Sequence, residues 1–269
     1  MSRLASYYER KNEDRRLLSG LGELEFLRTK EIIQSVLPEG DLSIADIGGG
    51  TGPYAFWLAE LGHRVELYDL MPNHVASAQA INESTSRKLD RIAVGDARTL
   101  DLRAGDFDIV LLLGPLYHIS DQDERVAVLR RTSEWLKPDG RLITAYISRF
   151  GSLMDGFIRG LFQDPEYVDI VREDITTGRH RPNVANDRYF TDSYFHRVDE
   201  ITDELQVAGL QALDVVGVEG VGWLWQNFEE LWSDPAQRDV LLEMIRATDR
   251  EPSLLGASGH ILSVSRAVG

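Results

Sequence analysis

The chain has 269 residues, of which 43% are hydrophobic, so it can bury a full core as one large domain or as one domain with insertions. It contains no cysteine, which excludes disulfides, thiolate metal sites and a cysteine nucleophile and fits a cytoplasmic protein. The formal net charge of -15 argues against a nucleic-acid partner, and no apolar run approaches the roughly 18 residues of a membrane span, so we expect no membrane partner.

The first part of the chain is predicted to be helical from about Ala5 to Leu37, because apolar residues recur there near a 3.6-residue period. Pro38 should end this region. Tyr7 and Tyr8 lie at its start, and ordinary aromatic packing at the edge of an amphipathic helix is one interpretation of them.

The motif at Ser43–Pro53 predicts a strand that runs into a ligand-binding turn. A short apolar run ends in an acid, and glycines follow at every second position, namely Gly48, Gly50 and Gly52. Glycine takes a positive φ readily and lets the backbone approach a ligand without a Cβ in the way. Pro53 pre-sets φ for the first turn of the next helix. It also stands where the dinucleotide fingerprint G-x-G-x-x-G would place its last glycine.

The spacing Asp-x-Gly-x-Gly-x-Gly from Asp46 onward resembles the first motif of class I S-adenosylmethionine (SAM)-dependent methyltransferases. The resemblance implies SAM as the cofactor, bound by this acid and by the backbone of the turn, Gly49 included. It also implies that the N-terminal helical segment, residues 1–40, lies over the cofactor pocket as a lid. In that arrangement Tyr7 and Tyr8 would contact the acceptor.

Two further acids follow predicted strands. Asp69 ends the second strand, where doubly wound folds place the acid that accepts both ribose hydroxyls, and Leu70 follows it. The third strand runs into Asp96 and Ala97. The resemblance implies that Asp96 accepts from the adenine amino group while the backbone of Ala97 meets the ring. A helix cap is the alternative role for both acids.

The strand at residues 107–113 is the most apolar in the chain, as a central parallel strand buried on both faces should be. The residues at its carboxyl end should face a ligand, because open α/β sheets bind ligands there. We therefore expect Leu113 and Gly114 to contact the cofactor, and Tyr117 and His118 to reach the reacting groups. An imidazole exchanges protons near neutral pH, so His118 is the candidate general base, with a structural role as the alternative. The local Gly-Pro-Leu-Tyr-His departs from the motif of amino-methylating nucleic-acid enzymes and favours a small-molecule acceptor.

The remaining core strands are predicted at residues 141–147, 210–218 and 260–267, with a turn at 137–140 before the first of them. Two stretches that break the alternation of strand and helix, residues 148–190 and 219–256, are predicted to be insertions over the acceptor pocket. Tyr194 is expected to bind the acceptor, and His196 is a second candidate for proton transfer, with a helix-cap role as its alternative.

Large aromatic residues cluster in the second insertion, where they are Trp223, Trp225, Phe228 and Trp232. Such a cluster indicates packing against the sheet edge, and the alternatives are a dimer contact or an apolar acceptor site that includes Trp223.

The predicted fold is α/β, with residues 1–269 forming one domain around a doubly wound, Rossmann-like, seven-stranded sheet. The order is 3-2-1-4-5-7-6 with strand 7 antiparallel and helices on both faces. The predicted function is transfer of the SAM methyl group to a small-molecule acceptor, without a metal. The acceptor atom and the oligomeric state, a homodimer included, stay open. The alternatives are a SAM- or nucleotide-binding regulatory protein and an NAD(P)-dependent oxidoreductase, which Pro53 disfavours.

Overall fold

The computed structural model describes residues 17–182 and 189–268, and the centre of its sheet is parallel. In these ranges the strands are β1 Ser43–Ile47, β2 Arg64–Asp69, β3 Arg91–Val94, β4 Phe107–Leu112, β5 Leu136–Ser148, β6 Arg179–His180, β7 Ser193–His196, β8 Leu210–Gly217 and β9 His260–Ala267. The first five run in parallel in the order β3-β2-β1-β4-β5. Their carboxyl ends therefore meet at one edge, where open α/β sheets bind ligands.

Two longer strands complete the core of the sheet. β9 pairs in antiparallel fashion both with β5 and with β8. The core order is therefore β3-β2-β1-β4-β5-β9-β8. Numbered by core strands alone, this order is 3-2-1-4-5-7-6 with one antiparallel strand, so the predicted architecture is confirmed.

Helices cover both faces of this sheet. In the described ranges they are α1 Leu21–Val36, α2 Pro53–Glu60, α3 Pro72–Ser84, α4 Gln122–Glu134, α5 Gly151–Arg159, α6 Pro165–Thr177, α7 Val198–Val207, α8 Phe228–Ser233 and α9 Pro235–Thr248. Successive residues of β4 point to opposite faces. Val110 and Leu112 join the apolar cluster under α4 and α7, and Ile109 and Leu111 join the cluster under α1, α2 and α3. Burial on both faces explains why this strand is apolar throughout.

The first insertion covers the carboxyl end of β4. It contains α5, α6 and the antiparallel hairpin of β6 and β7. β7 pairs in parallel with Ile147 and Ser148 at the end of β5. Because Ile147 also pairs with His260 of β9, β7 must occupy the edge of β5 that β4 leaves when it ends at Leu112. The hairpin thus extends the line of β4 over the crevice in which the sequence predicts ligands.

The second insertion packs against α1 rather than against the sheet edge, which corrects the first interpretation of its aromatic cluster. The rings of Phe228 and Trp232 stack with centroids 5.4 Å apart and pack with Leu24 of α1. The Trp232 Nε1–H donates a 2.7 Å hydrogen bond to the Glu23 carboxylate. The apolar stripe of α1 thus provides the surface that the sequence pattern assigned to the sheet.

The first half of the predicted N-terminal helical region lies outside the described residues. Tyr7 and Tyr8 fall in that part, so their role as part of a lid stays a prediction. α1 itself begins at Leu21, after Gly20. Among the helices of the described ranges, none has the length and apolar composition that a membrane crossing requires.

The predicted turn at residues 137–140 lies inside β5 rather than before it. Leu136 pairs with Phe107, and the next pair is Arg141 with Ile109, so four residues bulge out of the strand. Asp139 takes a φ of 66° within this bulge. The position of the turn was therefore predicted correctly, but the left-handed residue is Asp139 rather than the glycine at position 140, and the pairing of Leu136 was not predicted.

Candidate functional site

The glycine turn joins β1 to α2 at the carboxyl edge of the sheet. Gly48, Gly50 and Gly52 have φ angles of 73°, 61° and 94°, which residues with a Cβ rarely adopt. The Gly48 N–H donates a 2.7 Å hydrogen bond to the Tyr68 carbonyl oxygen of β2. Because this bond fixes the turn to the neighbouring strand, its other N–H groups are presented in a defined arrangement.

Close contacts fix the turn further. A Cβ on Gly48 would lie 2.5 Å from Cγ of Pro115, and one on Gly49 would lie 2.6 Å from Oδ2 of Asp46. A cavity opens beside this turn, and Gly52 does not line it. A Cβ on Gly52 would lie 2.9 Å from the Phe56 ring. Gly52 therefore serves the packing of α2 on the sheet, while Gly48, Gly49 and Gly50 line the cavity.

Asp46 is a buried carboxylate at the floor of this cavity. Neither of its oxygens has a hydrogen-bond partner within the described part of the chain. Burial, and secondly the negative charge of Asp69, raise the pKa of Asp46 to about 7; the nearby Ala55 amide opposes this shift without reaching hydrogen-bond geometry. A buried carboxylate of this kind is stabilised by a cationic ligand group.

Asp69 stands at the end of β2 and supports the turn directly. Its Oδ2 accepts a 2.9 Å hydrogen bond from the Gly50 N–H, and its Oδ1 accepts a 2.8 Å bond from the Met71 N–H. His74 Nδ1 lies 3.1 Å from the same Oδ1, and this histidine also lines the cavity. The bond from the Met71 N–H agrees with the helix-cap role that was the alternative interpretation of Asp69. Asp69 also lines the cavity, as a role in ligand binding requires. Sequence reasoning did not identify His74, because it lies on α3 outside any motif.

Asp96, Ala97 and Leu70 line the cavity near the ends of β2 and β3. The Asp96 carboxylate accepts from the Arg98 backbone N–H at 2.9 Å and from its guanidinium at 2.6 Å. The hydrogen bonds from the Arg98 side chain are the main cause of the lowered pKa of Asp96. Asp96 is therefore an ionised acceptor at neutral pH.

The loop after β4 lies against the glycine turn, where Pro115 contacts Gly48. Leu113, Gly114, Tyr117 and His118 all line the cavity, and their contacts with the cofactor and the reacting groups stay predictions. Burial lowers the pKa of His118 to about 4, while the Asp192 carbonyl oxygen, 3.5 Å from Nδ1, opposes the shift. The imidazole is therefore neutral near pH 7. Its ring lies 5.7 Å from that of Phe190, measured between centroids.

The first insertion supplies an aromatic wall that the sequence did not predict residue by residue. Tyr167, Tyr189 and Phe190 line the cavity, and the first two rings lie 5.0 Å apart. His180, from β6, lines the same wall, with its centroid 6.4 Å from that of Phe190. Trp223 from the second insertion also lines the cavity, where its Nε1–H donates to the Ala257 carbonyl oxygen at 2.8 Å.

The structure places His196 and Tyr194 away from the cavity, contrary to expectation. His196 is fully buried, and its Nε2 lies 3.5 Å from the Glu204 carboxylate. Burial lowers the pKa of His196. The Tyr194 ring lies under the Arg125 guanidinium at 3.8 Å. Both side chains belong to the packing of β7 on α4 and α7, because alternate residues of this short strand point to the side away from the ligand.

One group of possible metal ligands exists in the described ranges, formed by Glu25, Glu219 and His260, whose donor atoms lie within 4.8 Å of one another. Glu219 accepts from His260 Nδ1 at 2.7 Å, from the His260 N–H at 2.8 Å and from Ser258 Oγ at 3.0 Å. These hydrogen bonds satisfy the buried Glu219 carboxylate without a metal ion. The absence of a metal from the reaction stays a prediction.

These elements enclose one cavity of about 880 Å³. Its volume lies within the range of ligand sites, roughly 300–1,000 Å³. The glycine turn and the three acids Asp46, Asp69 and Asp96 form one half, and the aromatic residues of the insertions form the other. The cavity can therefore hold a polar nucleoside-like ligand beside a more apolar one.

Comparisons with known proteins agree with this arrangement. A methyltransferase domain family matches residues 44–140. A cypemycin N-terminal methyltransferase from a Streptomyces species is 32% identical over 112 residues, which cover 40% of this chain and 43% of that protein. The chain thus matches less than half the length of this relative. A ubiquinone biosynthesis O-methyltransferase from Xanthomonas axonopodis pv. citri is 25% identical over 193 residues, 72% of each protein.

A solved structure supports the fold. Magnesium protoporphyrin IX methyltransferase from Synechocystis, with bound S-adenosylhomocysteine (SAH), superimposes with a TM-score of 0.58. The match covers 98% of both chains at 16% identity. At this identity, the likeness is one of fold alone.

Proposed function

We propose, since this chain belongs to the class I SAM-dependent methyltransferase family, that it transfers the methyl group of SAM to a small-molecule acceptor. The observation that carries the proposal is the single cavity with two unlike halves. The acid-lined half fits SAM, and the aromatic half, roofed by the first insertion, fits an acceptor of limited size.

The residues present fit SAM group by group. The buried Asp46 carboxylate, which has no hydrogen-bond partner in the described chain, suits the cationic ammonium of the methionine part. The turn of Gly48, Gly49 and Gly50 leaves no room for a Cβ at two positions and so suits close backbone approach. Asp69 would accept from the ribose hydroxyls, and Asp96 from the adenine amino group beside Leu70 and Ala97. Leu113 and Gly114 would contact the cofactor from the loop after β4, beside the glycine turn.

When bound, SAM supplies a methyl group on a positively charged sulfur, which is already a good electrophile. The protein therefore has to position the acceptor, exclude water and take up a proton where the acceptor carries one. The aromatic wall of Tyr117, Tyr167, Tyr189 and Phe190 performs the first two tasks for a flat apolar acceptor. The two relatives named above are an N-terminal methyltransferase and an O-methyltransferase, so the proposal includes nitrogen and oxygen acceptors.

The direct test is calorimetry with SAM, SAH and NADH, followed by detection of SAH release with phenols, amines and thiols. We expect binding of SAM and SAH and no binding of NADH. Binding of NADH alone would favour an oxidoreductase. Binding of SAM without turnover on any member of an extended acceptor panel would favour a regulatory protein.

Replacing Asp69 with asparagine should weaken SAM binding by roughly 1–3 kcal/mol, because the ribose hydroxyls lose a charged acceptor. Asparagine keeps one oxygen for the Gly50 or Met71 N–H, so the turn is disturbed less than by alanine. Asp101→Asn, an exposed acid outside the cavity, is the matched control. A dissociation constant within about threefold of the unsubstituted protein, under roughly 0.7 kcal/mol, would remove Asp69 from the ribose site.

SAM affinity should rise about tenfold between pH 6 and pH 8 through the ionisation of Asp46, whose pKa is raised to about 7. The sign follows from the ligand's ammonium, which favours the ionised carboxylate, so binding releases a proton and strengthens as pH rises. Calorimetry in two buffers of different ionisation enthalpy measures this release. In Asp46→Asn, the pH dependence of SAM affinity should be reduced to the part that comes from ionisation of the ligand itself. An unchanged slope in that variant would show that Asp46 does not contact the ammonium.

A further inference from the structure

His180 and Asp174 form a buried histidine–carboxylate pair in the first insertion. His180 Nδ1 lies 2.9 Å from Asp174 Oδ2, and the side chains are 3% and 1% exposed. In this geometry Nδ1–H donates to the carboxylate, so the neutral imidazole carries its lone pair on Nε2. The pair has the same order of groups as the base and orienting acid of a hydrolase triad.

The local fold creates this pair. α6 carries Asp174, and its C-cap is Gly178, which has a φ of 76° and whose N–H donates to the Asp174 carbonyl oxygen at 2.8 Å. A Cβ on Gly178 would lie 2.6 Å from both the Arg149 guanidinium and the Phe195 carbonyl oxygen. The left-handed residue reverses the chain, and β6 returns His180 beside the last turn of α6. The Phe195 ring stacks on the imidazole, with centroids 4.7 Å apart and planes 8° from parallel.

Two polar atoms of this pair lack a partner throughout residues 17–182 and 189–268. They are Nε2 of His180 and Oδ1 of Asp174. An unsatisfied buried polar atom is costly, so native proteins keep few of them without a reason. His180 also lines the cavity, on the wall that it shares with Phe190 and His118. A ligand in the aromatic half of the cavity would supply the missing partner of Nε2.

The other cavity histidines fit this role less well. The Nδ1 of His118 lies 3.5 Å from the backbone carbonyl oxygen of Asp192, and a carbonyl orients an imidazole without the charge that stabilises its protonated form. The His260–Glu219 pair has a similar 2.7 Å separation, but its imidazole is 28% exposed. His74 is likewise buried against a carboxylate, but that carboxylate is Asp69, in the acid-lined half of the cavity. The imidazole of His180 combines burial, a carboxylate on Nδ1, a stacked ring and a place on the aromatic wall.

We propose that His180 is the general base of the methyl transfer, positioned by Asp174, and that the acceptor is a hydroxyl on a flat aromatic ring. This proposal rests on the proposed function. The hydroxyl oxygen forms a bond to the methyl carbon while the carbon–sulfur bond breaks and its electron pair stays on sulfur. The hydroxyl proton moves to Nε2 of His180. The positive charge therefore passes from sulfur to the imidazole, where the Asp174 carboxylate stabilises it.

Several charged or titratable groups surround this wall on the packed elements. They are Asp155 and Arg159 on α5, Asp174 on α6, Arg149 after β5, His118 on the loop after β4, and Tyr189 and Asp192 before β7. Asp174 lies in hydrogen-bond contact with the imidazole, at 2.9 Å. The pH dependence of turnover should therefore respond most strongly to this carboxylate.

The test uses His180→Gln and Asp174→Asn, with His63→Gln and Asp169→Asn as matched controls outside the cavity. SAH affinity by calorimetry reports folding and the cofactor half. Turnover is measured with phenol, catechol and 4-methoxyphenol, and with aniline and benzylamine as amine probes. Long-range proton–nitrogen NMR spectra of labelled histidine, assigned through His180→Gln, report which ring nitrogen of His180 carries the proton.

We expect SAH affinity to be unchanged in all four variants and methylation to occur on hydroxyl probes. His180→Gln should lower kcat by about 10²-fold or more and remove the rise of rate with pH. Asp174→Asn should move that rise to lower pH, because imidazolium loses its carboxylate. The neutral His180 should be protonated on Nδ1.

The proposal is overturned if SAM is bound and kcat of His180→Gln stays within threefold of the unsubstituted protein, or if only amines are methylated. If kcat falls in His260→Gln or in His118→Ala but not in His180→Gln, the proposal is also overturned, and the general base is the histidine whose replacement lowers kcat. Protonation of neutral His180 on Nε2 overturns it with no acceptor needed. Failure of the unsubstituted protein to bind SAM or SAH would instead overturn the proposed function itself.

Discussion

Replacing Glu204 with alanine should lower the free energy of unfolding by about 3–5 kcal/mol, because the Arg125 charge would stay buried without its carboxylate. Both side chains are 1% exposed. Arg125 Nε lies 3.1 and 3.0 Å from the two carboxylate oxygens, and Nη2 lies 2.5 Å from Oε1. Removal of one partner leaves the other charged group buried and uncompensated, so its desolvation cost is no longer offset.

Urea unfolding at several wavelengths measures this loss. Asp169→Ala is the control, because its ion pair with Arg172 lies at the surface, with side chains 77% and 74% exposed, and should contribute less than about 0.5 kcal/mol. The double variant Arg125→Leu, Glu204→Leu should regain most of the stability, since it removes both charges. A loss below about 1 kcal/mol in Glu204→Ala would mean that the arginine finds water or another acceptor.

The same ion pair explains why two sequence-based site predictions differ from the structure. Arg125 also donates from Nη1 to the Ile119 carbonyl oxygen at 2.9 Å, next to His118 in the loop after β4. Tyr194 stacks on its guanidinium, and His196 lies against Glu204. These two residues therefore support the loop from behind rather than contact a ligand. From the sequence, an aromatic residue and a histidine near a helix start look the same in either role.

The core of the fold was predictable because its signals are local. Strand β1, the glycine turn and Pro53 follow one another directly, and Gly62 ends α2 with a φ of 103°. Each of these signals depends on backbone conformation or on apolar alternation within a few residues. The strand order followed from the resemblance to class I methyltransferases together with the alternation of strands and helices, rather than from any single residue.

The histidine–carboxylate pair was not predictable, because its parts gain meaning only through distant contacts. Asp174 and His180 are six residues apart in a polar stretch without core periodicity. They meet because Gly178 reverses the chain and because β7 pairs with the end of β5. The raised pKa of Asp46 depends likewise on burial and on Asp69, a neighbour on another strand. Burial and long-range charge leave no mark in the local sequence.

Gly48→Ala should lower SAM affinity by about 10²-fold or more, which corresponds to roughly 2.7 kcal/mol. A φ of 73° costs a residue with a Cβ roughly 1–2 kcal/mol. In addition, the new methyl group would lie 2.5 Å from Cγ and 2.6 Å from Cδ of Pro115, whose ring has little freedom to move. The turn has to shift, and its N–H groups then leave the positions that the ligand requires.

Gly105→Ala separates the backbone cost from the effect on the site. Gly105 has a φ of 68°, close to that of Gly48, but a Cβ there would meet no atom within 4 Å. Both variants should therefore lose stability through the left-handed backbone, and thermal unfolding measures that loss. Only Gly48→Ala should also lose SAM affinity in calorimetry. If Gly48→Ala binds SAM within threefold of the unsubstituted protein, the cofactor does not depend on the contact between the glycine turn and Pro115, and the placement of its polar end over this turn is wrong.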